Sequence, residues 1–332
     1  MKKKNIIVLV ILLFFSFYSF SQTKFSRKLL ESSRKIAITK ENLEKAEIFD
    51  FSTSRILIIP DGYVISENRT GKIVKFSMGG IPQKKYGHKG QGPGEFSSIR
   101  DLFFVDNKIA VIDRAKIVIL DKNLNFEKEI KNNYVSNSFY LYKTKAGWLW
   151  GNADKKGWKI VFLDNNFKEL KETTLKPVLK CNSLNIARSL VFFSALRPLS
   201  PEDFVYYSPF VVGEDCKVEI LKGGDLKEKR VINLRIKNPV KNCKEVFKAR
   251  ETYFINGVAK SLHYIFVSVS KSAIFKSKSM NSNEVWYVIS KNGKTKPLSF
   301  QTDYHLLSVI DYVFLNRVYL VDKDGNLAFF EE

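Results

Sequence analysis

What this chain has little of narrows it first. Cysteine, histidine and methionine each occur three times in 332 residues. The cysteines are Cys181, Cys216 and Cys243, an odd number that leaves at least one unpaired and excludes a disulfide-built scaffold. One bridge stays open, with Cys216 to Cys243 the favoured pair. The histidines (His88, His263, His305) are scattered, and no spacing fits a zinc pattern. No G-x-S-x-G is present, which removes the nucleophile elbow of serine hydrolases. Beyond the first residues no apolar run is long enough to span a bilayer. Helical periodicity almost vanishes after Glu47. Acidic residues are also short: 34 Asp and Glu against 55 Lys and Arg leave a net charge of +21. The basic residues are spread along the chain. The excess is therefore read as a solvated surface before an anion site, and nucleic acid is disfavoured as a partner.

What is present begins with an export signal. Lys2, Lys3 and Lys4 precede the apolar run Ile6 to Phe15, and Ser19-Phe20-Ser21 offers a small-x-small cleavage site. Residues 1–21 are thus expected to be a signal peptide, with no membrane span left after cleavage. The address is bacterial and exported, either periplasmic or extracellular. The polar segment 22–45 reads as a lead-in, in which KENLEKAE could form a helical turn or an exposed loop.

From residue 46 to 332 the pattern is β. Aromatic residues make up 14% of the chain, with 27 Phe and 14 Tyr, and suit half-buried pleated surfaces. Short β-branched and aromatic runs recur, split by Gly, Asn and Asp. A unit repeats among them. Ile117 and Ile160 open apolar runs that end at Asp121 and Asp164, 43 residues apart, and Asn68 and Arg114 hold matching turns 46 apart. VYLVDKDGNLAFFE, Val318 to Glu331, is the last copy. A period in the forties with several strands per unit is the mark of propeller blades. The expected blades lie near 51–95, 96–136, 137–182, 183–240, 250–300 and 301–332. Residues Lys237 to Lys260 read as an interruption by a short helix or loop. A strand near Ala46 to Phe51 is expected to close the ring on the last blade, since an open ring leaves exposed strand edges.

The sharpest single motif is GQGPGEF, Gly90 to Phe96, followed by DLFFVDNKIAVID, Asp101 to Asp113. This stretch resembles the turn of six-bladed β-propeller proteins related to NHL repeats, common in secreted proteins of Bacteroidetes and neighbouring phyla. The resemblance implies an all-β, six-bladed β-propeller of four-stranded antiparallel blades behind a signal peptide. It implies no reaction, because that family has no common catalytic set. Within the turn, Gly90, Gly92, Pro93, Gly94, Glu95 and Phe96 read as a structural clasp. Glycine reaches positive φ without cost, Pro93 fixes one angle, Glu95 can accept backbone N–H groups, and Phe96 can anchor the next strand. A phosphate loop would need a helix after it and a GKS/T element, and neither is there.

Chemistry is thinner. Glu67, Asp113, Asp154 and Glu214 could converge on calcium in a central channel. Asp and Asn are also ordinary hairpin residues, and no motif supports a cofactor. The cluster Phe139, Tyr140, Tyr142, Trp148, Trp150 and Trp158 could line a groove, but strand alternation favours blade packing for it. Arg197, Tyr206 and Tyr207, together with Trp148 and Trp150, are the candidate binding residues. The functional expectation is a monomeric binding or scaffold module for a protein, peptide or glycan. The alternative is a metal-dependent lyase or hydrolase at the channel, a third reading is a basic surface module for anionic polymers such as polysaccharide or nucleic acid, and binding is favoured over catalysis.

Overall fold

The computed structural model describes residues 33–49, 54–153, 157–177, 195–199, 203–212, 215–222, 224–236, 240, 245, 252–260, 264–272, 284–290, 298–302, 304–307, 310–311 and 317–331. The expected signal peptide lies outside them. The chain divides into Met1–Arg34 and Lys35–Glu332, and the second unit carries the fold.

Six antiparallel sheets follow one another along the chain. Blade 1 holds β2 (Arg55–Ile59), β3 (Gly62–Glu67), β4 (Lys72–Ser77) and β5 (Pro82–Tyr86). A parallel pair, β6 (His88–Lys89) and β7 (Glu95–Phe96), leads to blade 2: β8 (Ile99–Val105), β9 (Lys108–Asp113), β10 (Ile117–Asp121) and β11 (Phe126–Ile130). Blade 3 is β12 (Tyr140–Thr144), β13 (Gly147–Ala153), β14 (Trp158–Leu163) and β15 (Glu169–Leu175). Blade 4 is β16 (Ala195–Pro198), β17 (Asp203–Tyr207), β18 (Asp215–Lys222) and β19 (Glu228–Arg235). Blade 5 is β20 (Thr252–Lys260), β21 (Tyr264–Ser272), β22 (Glu284–Ser290) and β23 (Leu298–Thr302). The interruption read over Lys237 to Lys260 therefore ends in the first strand of blade 5. Blade 6 is β24 (His305–Leu306), β26 (Arg317–Val321), β27 (Leu327–Glu331) and, from the other end of the chain, β1 (Arg34–Ile38).

The closing strand is thus Arg34–Ile38, upstream of the expected Ala46 to Phe51. Between them lies α1 (Lys40–Lys45), capped by Thr39, whose Oγ1 accepts from Asn42 N at 3.3 Å. RKIAI is an edge strand that buries only Ala37 and Ile38, so its run carries little apolar signal. Glu331 fastens the closure, accepting from Lys35 Nζ and Arg317 Nε, each at 2.6 Å. A connection within blade 6 makes a second closure. Its β25 (Ile310–Asp311) pairs in parallel with β2, Leu57 facing Ile310. It lies on the side of β2 away from β3, which is the channel side.

The core sits between blades. One cluster joins blades 1 and 2, another blades 2 to 4, another blades 4 and 5, and a fourth joins blades 6 and 1 with α1. Middle strands are therefore covered on both faces and read as nearly unbroken apolar runs: β3 is buried along its whole length. Outer strands such as β5, PQKKY, and β15, ELKETTL, face water and are polar.

The hairpin joining the third and fourth strands is built alike in blades 1 to 4, and the hairpin between β26 and β27, the second and third strands of blade 6, follows the same plan. Hydrogen bonds from Ser77 N to Ile81 O, Asp121 N to Asn125 O, Asp164 N to Lys168 O, Lys222 N to Lys227 O and Asp322 N to Asn326 O close them. In three of them the aspartate Oδ1 also accepts two backbone N–H groups of the turn, as Asp121 does from Asn123 and Asn125 at 2.8 Å. The residue before the return strand has positive φ: Gly80 (76°), Leu124 (58°), Phe167 (64°), Leu226 (53°) and Gly325 (83°). A turn ending in this conformation followed by a bulge is a common three-residue hairpin. Pairing shifts register near it in blades 1 to 4.

Candidate functional site

The first strand of each blade runs next to the first strand of a neighbour, as β2 does with β8 and β20 with β24. These strands wall the channel and begin at the same mouth. The turns between second and third strands open on that face too, because Arg55 pairs with Ser66 and Ile99 with Asp113.

Side chains at strand starts fasten blade to blade. Asn68 Oδ1 accepts from Ile99 N at 2.6 Å, and its Nδ2 donates to Ile99 O at 2.7 Å. Arg55 Nε donates to Arg100 O at 2.8 Å. Arg100 is the extra residue at a bulge in β8 and reaches across to Ser138, with Nη1 on Oγ at 2.9 Å. A bulge re-aims the side chain it carries. Asn256, at the bulge of β20, donates from Nδ2 to Glu284 Oε1 at 3.0 Å. Glu284 is buried and also takes His305 Nδ1 (3.0 Å), Trp286 Nε1 (3.3 Å) and Leu306 N (3.3 Å), so it locks blades 5 and 6.

The polar cluster of blades 2 to 4 has open valences. Arg197, on β16, is exposed, and its Nη1 donates to Tyr142 Oη at 3.0 Å. Tyr142 Oη donates in turn to Leu196 O at 2.8 Å, and Arg197 Cζ lies 5.9 Å from the Tyr140 ring centroid. The phenol oxygens of Tyr142, then Tyr207 and Tyr140, hold Arg197 above the usual arginine range, against the desolvation imposed by the channel wall around it. Burial raises Tyr142 and Tyr207. Asp101, on β8, is raised by burial first, and Arg55 and Arg197 pull it back. Among the described residues its carboxylate bonds only the following backbone N–H, Leu102 N at 2.9 Å. This cluster can offer a ligand guanidinium donors, a carboxylate acceptor and phenol groups.

The expected binding residues divide. Arg197 lies on the channel wall, opposite Val205 of β17. Tyr207 is buried beside it, and Tyr206 is buried with its Oη donating to Lys176 O at 2.7 Å. Trp148 is buried and stacked on Phe167 at 5.3 Å, so it packs a blade. Trp150 is half-buried against Tyr134, with Nε1 unpartnered. Of the carboxylates read for calcium, Glu67 accepts from Phe49 N and Arg69 N, and Asp113 accepts from Ser97 Oγ and Ser98 N. Asp154 and Glu214 lie outside the described residues, as does Cys243. Cys216 is a buried free thiol. Among the described residues no three His, Cys, Asp or Glu form a metal group, and no helix is long and apolar enough to cross a membrane.

In the glycine turn, Glu95 Oε2 accepts from Gly92 N at 2.7 Å and Oε1 meets His88 Nε2 at 2.9 Å. Phe96 is fully buried, edge-on to Tyr86. Sequence reasoning passed over Asp101, Arg55 and Arg100. Their signal was arginine at strand starts in a chain whose basic residues are mostly lysine.

The fold has solved relatives. One is described as an exported protein of Bacteroides fragilis: TM-score 0.55, 12% identity, 92% of this chain and 96% of that one covered. Another is a member of the DUF4221 family from Bacteroides vulgatus: TM-score 0.50, 10% identity, 84% and 91% covered. At such identities the likeness is one of fold. No curated protein sequence is similar to the chain. The model of a family described as a 6-bladed beta-propeller, DUF5128, matches residues 14–189, more than half the chain. The six sheets and this match agree, and the chain belongs to the DUF5128 family of six-bladed β-propellers.

Proposed function

We propose that this chain is an exported, monomeric binding module that holds a protein, peptide or glycan at the channel mouth of blades 2 to 4. Arg197 carries the reading. It is exposed, its Nη1 is set in place by Tyr142 Oη at 3.0 Å and Leu196 O at 3.5 Å, and its Nε and Nη2 meet no acceptor among the described residues. A guanidinium fixed in advance loses little freedom when a ligand arrives. Asp101, held close to Arg55 and Arg197 without an ion pair to either, supplies the complementary acceptor. Export is supported by the basic and apolar N-terminal pattern, and by the fold shared with a protein described as exported. A relation to NHL-type propellers rests on the GQGPGEF turn. The metal-dependent enzyme has less support, since Glu67 and Asp113 are engaged by backbone N–H groups.

Peptide and glycan arrays probed with wild type and Arg197→Ala test the proposal. Ligands held by wild type should bind the variant about tenfold more weakly, the worth of one charge-assisted hydrogen bond, at unchanged Tm. Ligands held equally by both proteins would overturn the channel mouth as the site.

A further inference from the structure

Four arginines stand on one face of the ring, Arg55 and Arg100 at the starts of β2 and β8 and Arg69 and Arg114 in the turns after β3 and β9, and a fifth, Arg197 on β16, lines the channel below them. Among the described residues none has an acidic partner within ion-pair distance. The carboxylates go to lysines, Glu129 to Lys116 and Lys131 and Glu47 to Lys72 and Lys85 on this same face, and Asp61 to Lys75 away from it. Arg55 and Arg100 are engaged only by carbonyl and hydroxyl oxygens. Arg69, Arg114 and Arg197 are exposed, and the Arg69 and Arg114 guanidiniums bond nothing among the described residues. Burial first, and then the nearby Arg114 guanidinium, hold Arg100 below the usual arginine range. The acids of this face do not cancel the excess. Glu67 and Asp113 are spent on backbone N–H groups, Glu95 on Gly92 N and His88, and Glu47 and Glu129 on lysines, which leaves Asp101. Lysine supplies most of the chain's positive charge, yet this face has the planar fork that matches an oxyanion in two bonds.

An apolar surface adjoins it. Phe139 follows Ser138, the residue gripped by Arg100, and is 46% exposed. Its ring is braced by Tyr140 at 5.0 Å and Trp158 at 4.9 Å between centroids. A rigid aromatic ring beside guanidiniums suits a pyranose that carries a negative group: the ring takes the sugar's C–H face and the arginines take its oxyanion. A flexible acidic peptide would use the charges and leave the ring idle.

We infer that the ring face around the channel mouth binds an anionic glycan, with Arg69, Arg114 and Arg197 on its oxyanions and Phe139 beneath a sugar ring. The inference rests on the binding-module reading and adds the ligand class. The shared chemistry is a sugar bearing carboxylate or sulfate.

Titration calorimetry at two salt concentrations tests it, with oligogalacturonate as the carboxylate probe, heparin oligosaccharide as the sulfate probe, and neutral dextran and poly-glutamate as controls. At least one anionic glycan should bind and weaken steeply with salt. Arg114→Ala and Arg197→Ala should each cost about tenfold. Arg114 has no partner to lose, so that variant keeps the fold. Phe139→Ala should cost several-fold with the salt dependence unchanged. Lys128→Ala, an exposed lysine on the outer strand β11, should change nothing. Binding of neither anionic glycan would overturn the inference. So would poly-glutamate binding as tightly, or Lys128→Ala costing as much as Arg114→Ala. A ligand that is neutral, yet lost in Arg197→Ala, would sink the glycan charge assignment while leaving the binding module standing.

Discussion

At the scale of single residues, the hairpin position with positive φ shows two costs set against each other. Leu124 at 58° is strained by about 1–2 kcal/mol relative to ordinary backbone, yet its side chain is buried between blades 1 and 2. Packing outweighs strain there, which is why glycine is not required. Leu124→Ala should destabilise by about 3 kcal/mol, because the side chain is lost while the strain stays. Leu124→Gly should be the milder change by about 1 kcal/mol, the reverse of the usual order, since glycine releases the strain. Urea unfolding of both variants checks this; equal midpoints would mean that the backbone there is relaxed. Cys216 makes a second case. Burial pushes its thiol up to about 12, so it holds almost no thiolate at neutral pH. In a Cys181→Ser, Cys243→Ser background it should resist iodoacetamide at pH 8 until the protein is unfolded. Rapid alkylation of the native protein would place it in an open environment.

At the scale of elements, ring closure hangs on Glu331. Lys35 and then Arg317 hold its carboxyl below the usual glutamate range. A depressed carboxylate contributes stability above its unfolded pKa and loses it as pH falls through the folded value. The closure should therefore weaken in acid. The carboxylate is partly exposed, 33% for its side chain, so screening limits the effect to less than about 1 kcal/mol. Glu331→Gln should remove this contribution at neutral pH and flatten the acid limb of a stability–pH curve; an unchanged limb would assign the acid sensitivity elsewhere. The blades were legible in the sequence because the middle strands are covered on both faces. Burial of that kind writes itself as unbroken apolar runs ending at Asp121, Asp164 and Asp322. The closing strand was not legible. Lys35 and Ile36 of β1 are exposed, and an edge strand needs few apolar residues. The first strand of blade 5 was hidden for another reason, since the basic stretch before Thr252 masks the start of its pattern. The candidate site was legible only at Arg197. Tyr206 and Trp148 are as aromatic as Phe139, and only the blade geometry decides which ring faces a neighbour and which faces water.

At the scale of the whole molecule, stability is divided among interfaces between blades, so the junctions matter more than any one sheet. Glu284 has four donors at the junction of blades 5 and 6. Glu284→Ala would strand His305, Asn256 and two further N–H groups at or near a buried site. It should lower stability by about 3 kcal/mol in chemical denaturation, with Glu284→Gln intermediate because it keeps acceptor capacity. A loss below about 0.5 kcal/mol would show that water or neighbours replace it.

The pairing of β25 with β2 has a consequence for how the ring comes into being. Blade 6 is laced to the beginning of the chain at two radii: on the rim through β1, and at the hub through Ile310 beside Leu57. Each lacing joins residues near opposite ends of the sequence, Lys35 and Glu331 being 296 positions apart. Contacts so distant form late, after local hairpins are in place. A chain still being synthesised can complete neither. Until its last residues emerge it is an arc of finished blades with an unpaired strand at each end, and it becomes a ring in a single final act.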